Sequence, residues 1–382
     1  MKILYTAFLS LYTFIGFSQV KQTPFNSYKL NEERPIQVYV PENYNEEKSY
    51  PLIVVLDAEY LFDIVVSNTK FYSYWDEMPQ AIVVGINQNY DNIRVKDCEY
   101  SDENGFPSGK GNDFFEFIGM ELIPYLDEQY KLANFKVIVG HSLTSNFINY
   151  YLFKEKPLFD SYINLSPSLA PLMEEHIPER IATFQDKKFF YYLATAQEDL
   201  KENSERIYSL HQQMKTVDKP NIQYYFDDFK GATHISLASY AVPKALDQIF
   251  GIYKPISVTE YKEKILMLET PIYDYLEEKY NTIKTLFGIE KQVSLNDIMA
   301  IYAAIKQKED MPSLERLAKL GKQQYPSTML GYYFEAEYYE QVGEPKKAMR
   351  TYEKAFGMEE IDFLTKDMAL DKIDAIKADF GW

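Results

Sequence analysis

The chain has 382 residues and a mass of 44.8 kDa, more than one ordinary α/β domain holds, so about two folded parts are expected. With 46% hydrophobic and 25% charged residues it has a globular composition, which excludes disorder as its organising principle. Forty Lys and Arg against 57 Asp and Glu leave a formal charge of −17 with no basic run, which argues against nucleic acid or an anionic membrane as partner.

Residues 1–18 read as a secretory signal peptide. Lys2 supplies a positive start, Ile3 to Phe17 is apolar and uncharged, and Gly16-Phe17-Ser18 offers small residues for a cut before Gln19. The apolar stretch is about 15 residues, short of the roughly 20 that span a bilayer, so no transmembrane helix is expected in the mature chain. The expected location is periplasmic or secreted. Cys98 is the only cysteine, so no intramolecular disulfide forms, and it reads as a semi-buried structural thiol.

Pro35 to Pro41 alternates like an exposed edge strand. Pro51 to Leu56, Ala81 to Ile86 and Phe135 to Gly140 are continuous apolar runs, the pattern of strands buried on both faces. Within Asp113 to Tyr130, Phe114, Phe117, Ile118, Leu122, Ile123 and Leu126 recur at helical spacing, so strand, helix and strand follow as in a parallel α/β sheet. The segment Asp102 to Asn112, with Gly105, Gly109 and Gly111, lacks the spacing of a phosphate loop and reads as a mobile rim. Further strands are expected at Ser161 to Leu165, Phe189 to Leu193 and Gln223 to Phe226, with helices at Glu202 to Met214 and Val242 to Tyr253.

From about Lys254 only helical periodicity remains. Tyr332, Ala336, Tyr339, Gly343, Ala348, Tyr352 and Ala355 fall at tetratricopeptide offsets, with small residues where the two helices of a hairpin cross. Ile298, Tyr302, Ile305, Leu314, Ala318 and Gly321 repeat the pattern one unit earlier, Pro326 ends that unit, and Leu364 to Ala378 is the expected covering helix. The expected division is a leader at 1–18, an α/β domain at 19–255, and a helical linker with tetratricopeptide-like repeats at 256–382.

The chemistry concentrates where the strand Val137 to Gly140 runs into Gly140-His141-Ser142 and then an apolar-rich helix from Asn146 to Phe153. That is the strand-to-helix context of a nucleophile elbow, with the Leu143 N–H aimed at a developing oxyanion. Thr144 stands where a glycine is usual. A serine hydroxyl needs a base, and the chain has four His. His141 adjoins the serine and is expected to point elsewhere; His176 and His211 read as solvated. His234, after a strand and the short loop Lys230 to Thr233, is the candidate base. The acid belongs just after Leu193, where Glu198 and Asp199 are both available, with Asp199 preferred. Ser142, Asp199, His234 is then the order of nucleophile, acid and base in an α/β-hydrolase. A second oxyanion donor is expected in the loop after Leu56, at the Glu59 N–H. Arg94, after a strand end, either grips an anionic substrate group or pairs with Asp97 to brace its loop, and Tyr60 is a further candidate for substrate contact. The histidines have no metal-ligand spacing, so no metal or other cofactor is expected.

Tyr50 to Asp57, Ile82 to Asn87, the pair Arg94 and Asp97, Phe117 to Pro124, Gly140 to Leu143, Leu165-Ser166-Pro167-Ser168 and Gly231, His234, Ser236 together resemble the esterase family of α/β-hydrolases. That family holds enterobactin-type siderophore esterases, S-formylglutathione hydrolases, feruloyl and acetyl-xylan esterases and mycolyltransferases. The resemblance covers about residues 27–253. It implies an α/β fold, a mostly parallel sheet flanked by helices, and hydrolysis of a siderophore lactone or carbohydrate ester through an acyl-enzyme. Two departures stand out: the family's Gly-Gly after the elbow is Thr144-Ser145, and the small pair before the acid lacks its glycine. Two other functions share these features: a non-catalytic esterase-like protein whose repeats dock a protein partner, and an acyltransferase using the same three residues.

Overall fold

The buried apolar runs become the centre of an eight-stranded sheet in the computed structural model, which describes residues 20–88, 91–185, 187–269 and 271–381. The expected leader lies outside the described residues. The strands are β1 (Val20–Ser27), β2 (Glu32–Tyr39), β3 (Tyr50–Val55), β4 (Ile82–Ile86), β5 (Leu132–His141), β6 (Ser161–Leu165), β7 (Phe189–Glu198) and β8 (Ile222–Thr233), in the order β1-β2-β4-β3-β5-β6-β7-β8. From β4 to β8 all neighbours are parallel; β1 and β2 add an antiparallel end. The segment expected to be an edge is therefore internal. β1, exposed at Lys21, Gln22, Pro24 and Asn26, pairs with β2 from Val20 opposite Tyr39 to Ser27 opposite Glu32 and takes the edge itself.

Period-two alternation in fully buried strands feeds two cores. Leu52 and Val54 of β3 join Val84, Ile138, Tyr162 and Tyr191 on one face; Ile53 and Val55 join Val83, Val137, Val139, Ile163 and Tyr192 on the other. Helices α1 (Ala58–Tyr74) and α8 (Leu237–Ile249) cover the second face through Leu61, Phe62, Val65, Ala241, Val242 and Leu246. The first is covered by α3 (Gly109–Glu116), α4 (Ile123–Gln129), α5 (Leu143–Ile148), α6 (Met173–Ile181) and α7 (Lys201–Met214), with a π-helical turn at Phe117–Leu122 joining α3 to α4. Each fully buried Leu, Ile, Val or Phe here stabilises the fold by roughly 1.5–3 kcal/mol.

The short helix α2 (Ile93–Asp97) lies between β4 and α3. The segment after it is a hydrogen-bonded turn rather than an open rim: Ser101 N donates to Phe106 O at 2.9 Å, and Gly105 N to Ser101 O at 2.8 Å. Gly105 has φ +72° and lies so close to the Pro171 carbonyl that a Cβ there would come within 2.2 Å of it.

Beyond β8 and α8 the chain is helical: α9 (Val258–Glu263), α10 (Ile272–Phe287), α11 (Leu295–Lys308), α12 (Met311–Gln324), α13 (Leu330–Gln341), α14 (Pro345–Phe356) and α15 (Lys366–Phe380). Ser294, Asp310 and Thr365 cap α11, α12 and α15, each side chain accepting from a first-turn N–H. Gly321 and Gly331 let α12 and α13 touch backbone to backbone, since a Cβ on Gly331 would lie 2.4 Å from Lys322 N. The helical region is not a detached tail. Ile283, Leu286 and Phe287 of α10 sit in the second core, with the Phe287 ring centroid 5.0 Å from that of Phe135 and 5.2 Å from that of Phe250.

Candidate active site

Parallel strands end on one edge of the sheet, and the catalytic candidates collect there, Ser142 after β5, Asp199 after β7 and His234 after β8, joined by Asp57 just after β3 and Ser166 after β6. Ser142 has φ 59° and ψ −116°, a conformation that L-residues rarely adopt and that costs about 1–3 kcal/mol. It is held there from both sides: Ser142 N donates to Leu165 O at 2.9 Å, and Ser142 O accepts from Ser168 N at 3.1 Å. Gly140 is required by close approach, because a Cβ would come within 2.6 Å of Thr144 O. Ser142 is half-buried and reachable, and Leu143 opens α5, so its N–H has no acceptor within the helix.

Asp199 and not Glu198 meets the imidazole. His234 Nδ1 is 2.7 Å from Asp199 Oδ1, while the Glu198 side chain is exposed and only its backbone carbonyl takes the His234 N–H, at 3.2 Å. Asp199 also accepts from Ser166 Oγ at 2.7 Å, Thr195 Oγ1 at 2.7 Å and Leu200 N at 2.8 Å. Burial opposes its ionisation, yet hydrogen bonds from His234, Ser166, Thr195 and Leu200 hold its pKa down at about 2. Ser166 Oγ also lies 2.9 Å from His234 Nδ1, so this nitrogen is fully engaged and Nε2 is the one left for chemistry.

His141 does not point away. Its ring lies 4.6 Å from that of His234, its Nε2 is 3.0 Å from the His234 carbonyl, and its Nδ1 is 3.0 Å from the Tyr60 hydroxyl. Burial, then the neighbouring His234, pushes its pKa down to about 4, so at neutral pH it is an uncharged brace for the His234 loop.

Arg94 pairs with Asp57, not with Asp97. Its Nε is 2.5 Å from Asp57 Oδ1, and its Nη2 donates to Asp57 Oδ2 at 3.0 Å and to the His141 carbonyl at 2.8 Å. Asp97 is taken by Arg34, at 2.6 and 3.0 Å, and by Gln88 at 2.8 Å. Asp57 Oδ2 further accepts from Thr144 Oγ1 at 2.7 Å and lies 2.9 Å from the Tyr60 hydroxyl. The guanidinium, read as either a grip on an anionic substrate group or a partner of Asp97, is thus paired with a different, buried carboxylate, and Tyr60 is tied to the same cluster while 42% exposed. Asp57 N donates to Gln88 Oε1 at 3.2 Å, and the Glu59 carboxylate accepts from Gln88 N at 2.6 Å; Ala58 and Glu59 open α1, where the expected second oxyanion donor lies.

Sequence reasoning missed Ser166, Thr195, Gln88 and the role of Asp57. The Ser-Pro-Ser run and an Asp directly after a buried strand were the available signals. His176 and His211, read as solvated, are half-buried: His176 stacks on Phe106 at 5.8 Å, and His211 stacks on Phe226 at 3.8 Å with Nδ1 2.8 Å from the Tyr224 hydroxyl. Cys98 is buried, and burial pushes its thiol pKa well up, which suits a structural thiol and not a nucleophile. Among the described residues no group of His, Cys, Asp and Glu could hold a metal ion, and no helix is long and apolar enough to cross a membrane.

The family described as "Putative esterase" matches residues 27–233. The chain is 23% identical over 245 residues to the ferri-bacillibactin esterase BesA of Bacillus subtilis (strain 168), covering 56% of this chain and 85% of that protein. Among solved structures, a protein from Capnocytophaga ochracea DSM 7271 superposes with TM-score 0.86 at 38% identity over 94% of this chain and 100% of that one. An IroE-like serine hydrolase from Shewanella oneidensis shares the fold, with TM-score 0.60 at 20% identity over 80% of this chain and 99% of that one.

Proposed function

This chain belongs to the "Putative esterase" family and is a carboxylic-ester hydrolase, and from that premise we propose that it works as a serine esterase through an acyl-enzyme. The observation that carries the reading is the 2.7 Å contact between His234 Nδ1 and an Asp199 held ionised, at the same end of the sheet as a Ser142 in the strained elbow conformation. Ser142 Oγ attacks the ester carbonyl carbon while His234 Nε2 takes the hydroxyl proton. The carbonyl oxygen gains the electron pair and is held by the Leu143 N–H and by an N–H at the start of α1, at Glu59 or Ala58. As the carbonyl re-forms, the bond to the alcohol oxygen breaks and His234 returns the proton to it. Water then repeats the sequence on the acyl-enzyme, giving the acid and restoring Ser142. Asp199 stays a carboxylate throughout, orienting the ring and stabilising the imidazolium.

The substrate type proposed is a siderophore lactone or carbohydrate ester in an extracytoplasmic compartment. The likeness to a ferri-bacillibactin esterase supports the first, and the leader pattern at 1–18 supports the compartment. In this reading 19–255 is the catalytic part and 256–382 a tetratricopeptide-like region offering a surface to a protein partner, which the buried small residues Gly321, Ala336, Ala348 and Ala355 support. The test is fluorophosphonate labelling and turnover of an ester panel that includes a ferric siderophore lactone and a feruloyl sugar. Labelling and turnover are expected to vanish in Ser142→Ala and to fall by orders of magnitude in His234→Ala. Labelling that persists without Ser142 would refute the mechanism.

A further inference from the structure

Thr144 occupies the elbow position where the family resemblance has glycine, and its side chain is completely buried there. The hydroxyl accepts from His141 N at 2.9 Å and lies 2.7 Å from Asp57 Oδ2 and 3.0 Å from His141 O. One proton serves one strong acceptor, and the nearer carboxylate, paired with Arg94, takes it. Asp57 is anchored in turn by Arg94, which also donates to the His141 carbonyl at 2.8 Å. Thr144 and Arg94 therefore both join the elbow backbone to one buried carboxylate.

What lies at the two ends of this link gives it a role. Thr144 directly follows Leu143, whose N–H is one candidate oxyanion donor. Asp57, at φ 52°, directly precedes Ala58 and Glu59, whose N–H groups are the other candidates. The two donor sets belong to different strand ends, β5 and β3, and the Thr144 to Asp57 hydrogen bond ties one to the other. We propose that Thr144 is a positioning residue: its hydroxyl sets the spacing between the Leu143 N–H and the start of α1, doing with a hydrogen bond what close glycine packing does in the family pattern. The proposal rests on the serine mechanism proposed above.

Removing one oxyanion donor typically costs about 10²–10³ in rate, so loosening the spacing between two is expected to cost less, about 10–100-fold. The experiment compares Thr144→Val, of matched shape without the hydroxyl, Thr144→Ser, which keeps the hydroxyl, and Thr144→Ala, which serves if the valine variant does not fold. Steady-state hydrolysis of p-nitrophenyl butyrate and the rate of Ser142 labelling by a fluorophosphonate are measured on each folded variant. The expected result is a 10–100-fold fall in kcat for the valine or alanine variant with KM within about twofold, a parallel fall in labelling rate, and recovery of most of the rate in Thr144→Ser. A hydroxyl-free variant within about twofold of wild-type kcat, or equal losses in the serine and hydroxyl-free variants, overturns the inference. A wild-type chain with no Ser142-dependent turnover or labelling overturns the serine mechanism, and this inference with it.

Discussion

Asp199 Oδ1 lies 2.7 Å from His234 Nδ1 while Asp199 Oδ2 receives the Thr195 hydroxyl at 2.7 Å, so both oxygens of one carboxylate are oriented and only one faces the imidazole. The Ser166 hydroxyl, 2.7 Å from the same Oδ1, closes a triangle with the ring nitrogen. If Asp199 orients the base, Asp199→Asn presents the wrong hydrogen-bond partner to Nδ1 and lowers kcat by roughly 10³–10⁴-fold. Glu198→Gln, changing an exposed side chain, leaves kcat within about threefold. Steady-state kinetics on p-nitrophenyl butyrate measures both, and the opposite ranking would assign the acid to Glu198.

Arg94 is committed to Asp57, and removing its charge leaves a carboxylate that is 1% exposed without its cation. Arg94→Gln is therefore expected to cost about 2–4 kcal/mol in urea unfolding, less than a fully buried pair because Arg94 itself is partly exposed. It lowers kcat on neutral and anionic esters alike. A rise in KM confined to anionic esters, measured by comparing p-nitrophenyl butyrate with a succinate half-ester, would instead return Arg94 to substrate binding.

His141 makes stability depend on pH. Its folded pKa is about 4, against an ordinary 6.5 in the unfolded chain, so between those values the unfolded chain binds more protons and acid favours unfolding. The loss begins as pH falls through 6.5 and is complete near 4, amounting to about 3 kcal/mol. Asp199, depressed to about 2, adds a separate loss at lower pH, from its unfolded value near 3.8 downward. Urea midpoints at pH 7.0 and 4.5 are expected to differ less in His141→Gln than in the wild type. An unchanged difference would mean that His141 titrates normally.

Phe287 ties the helical region to the sheet through its ring contacts with Phe135 and Phe250. Phe287→Ala is expected to destabilise the hydrolase core by about 3–5 kcal/mol, and a chain ending at residue 255 to be insoluble because it exposes that aromatic cluster. Thermal unfolding of the first and the solubility of the second are the measurements. A soluble, active 19–255 fragment would show instead that the body folds without α10.

Two of the differences between sequence expectation and structure have simple physical causes. β1 carries no apolar run, because a strand at the edge keeps polar residues on its exposed positions and draws its order from pairing with β2. Of the segment Asp102 to Asn112, read as a mobile rim, the first part is a hydrogen-bonded turn and the rest begins α3, with Gly105 in close approach to Pro171 and Gly109 and Gly111 to Glu99. By contrast β3, β4 and β5 were legible from continuous apolar runs, since burial on both faces favours apolar residues.

The amino-acid sequence by itself determined the strand-to-helix elbow at Ser142, the order Ser142, Asp199, His234 and the change to helix after Lys254, because these are local patterns or relations of chain order. It left Asp199 and Glu198 as alternatives. The bulge between Ala196 and Glu198 in the pairing of β7 with β8 precedes the turn that carries Asp199 to the imidazole, and only the folded strands reveal it. The partner of Arg94 was likewise beyond its reach. Asp97 is three residues away in the chain, but Asp57 is brought to Arg94 by the parallel pairing of β3 with β4, and a buried carboxylate holds the nearest cation. Tertiary structure alone decided that Thr144, a departure from the family pattern when read along the chain, lies within hydrogen-bonding distance of that same carboxylate.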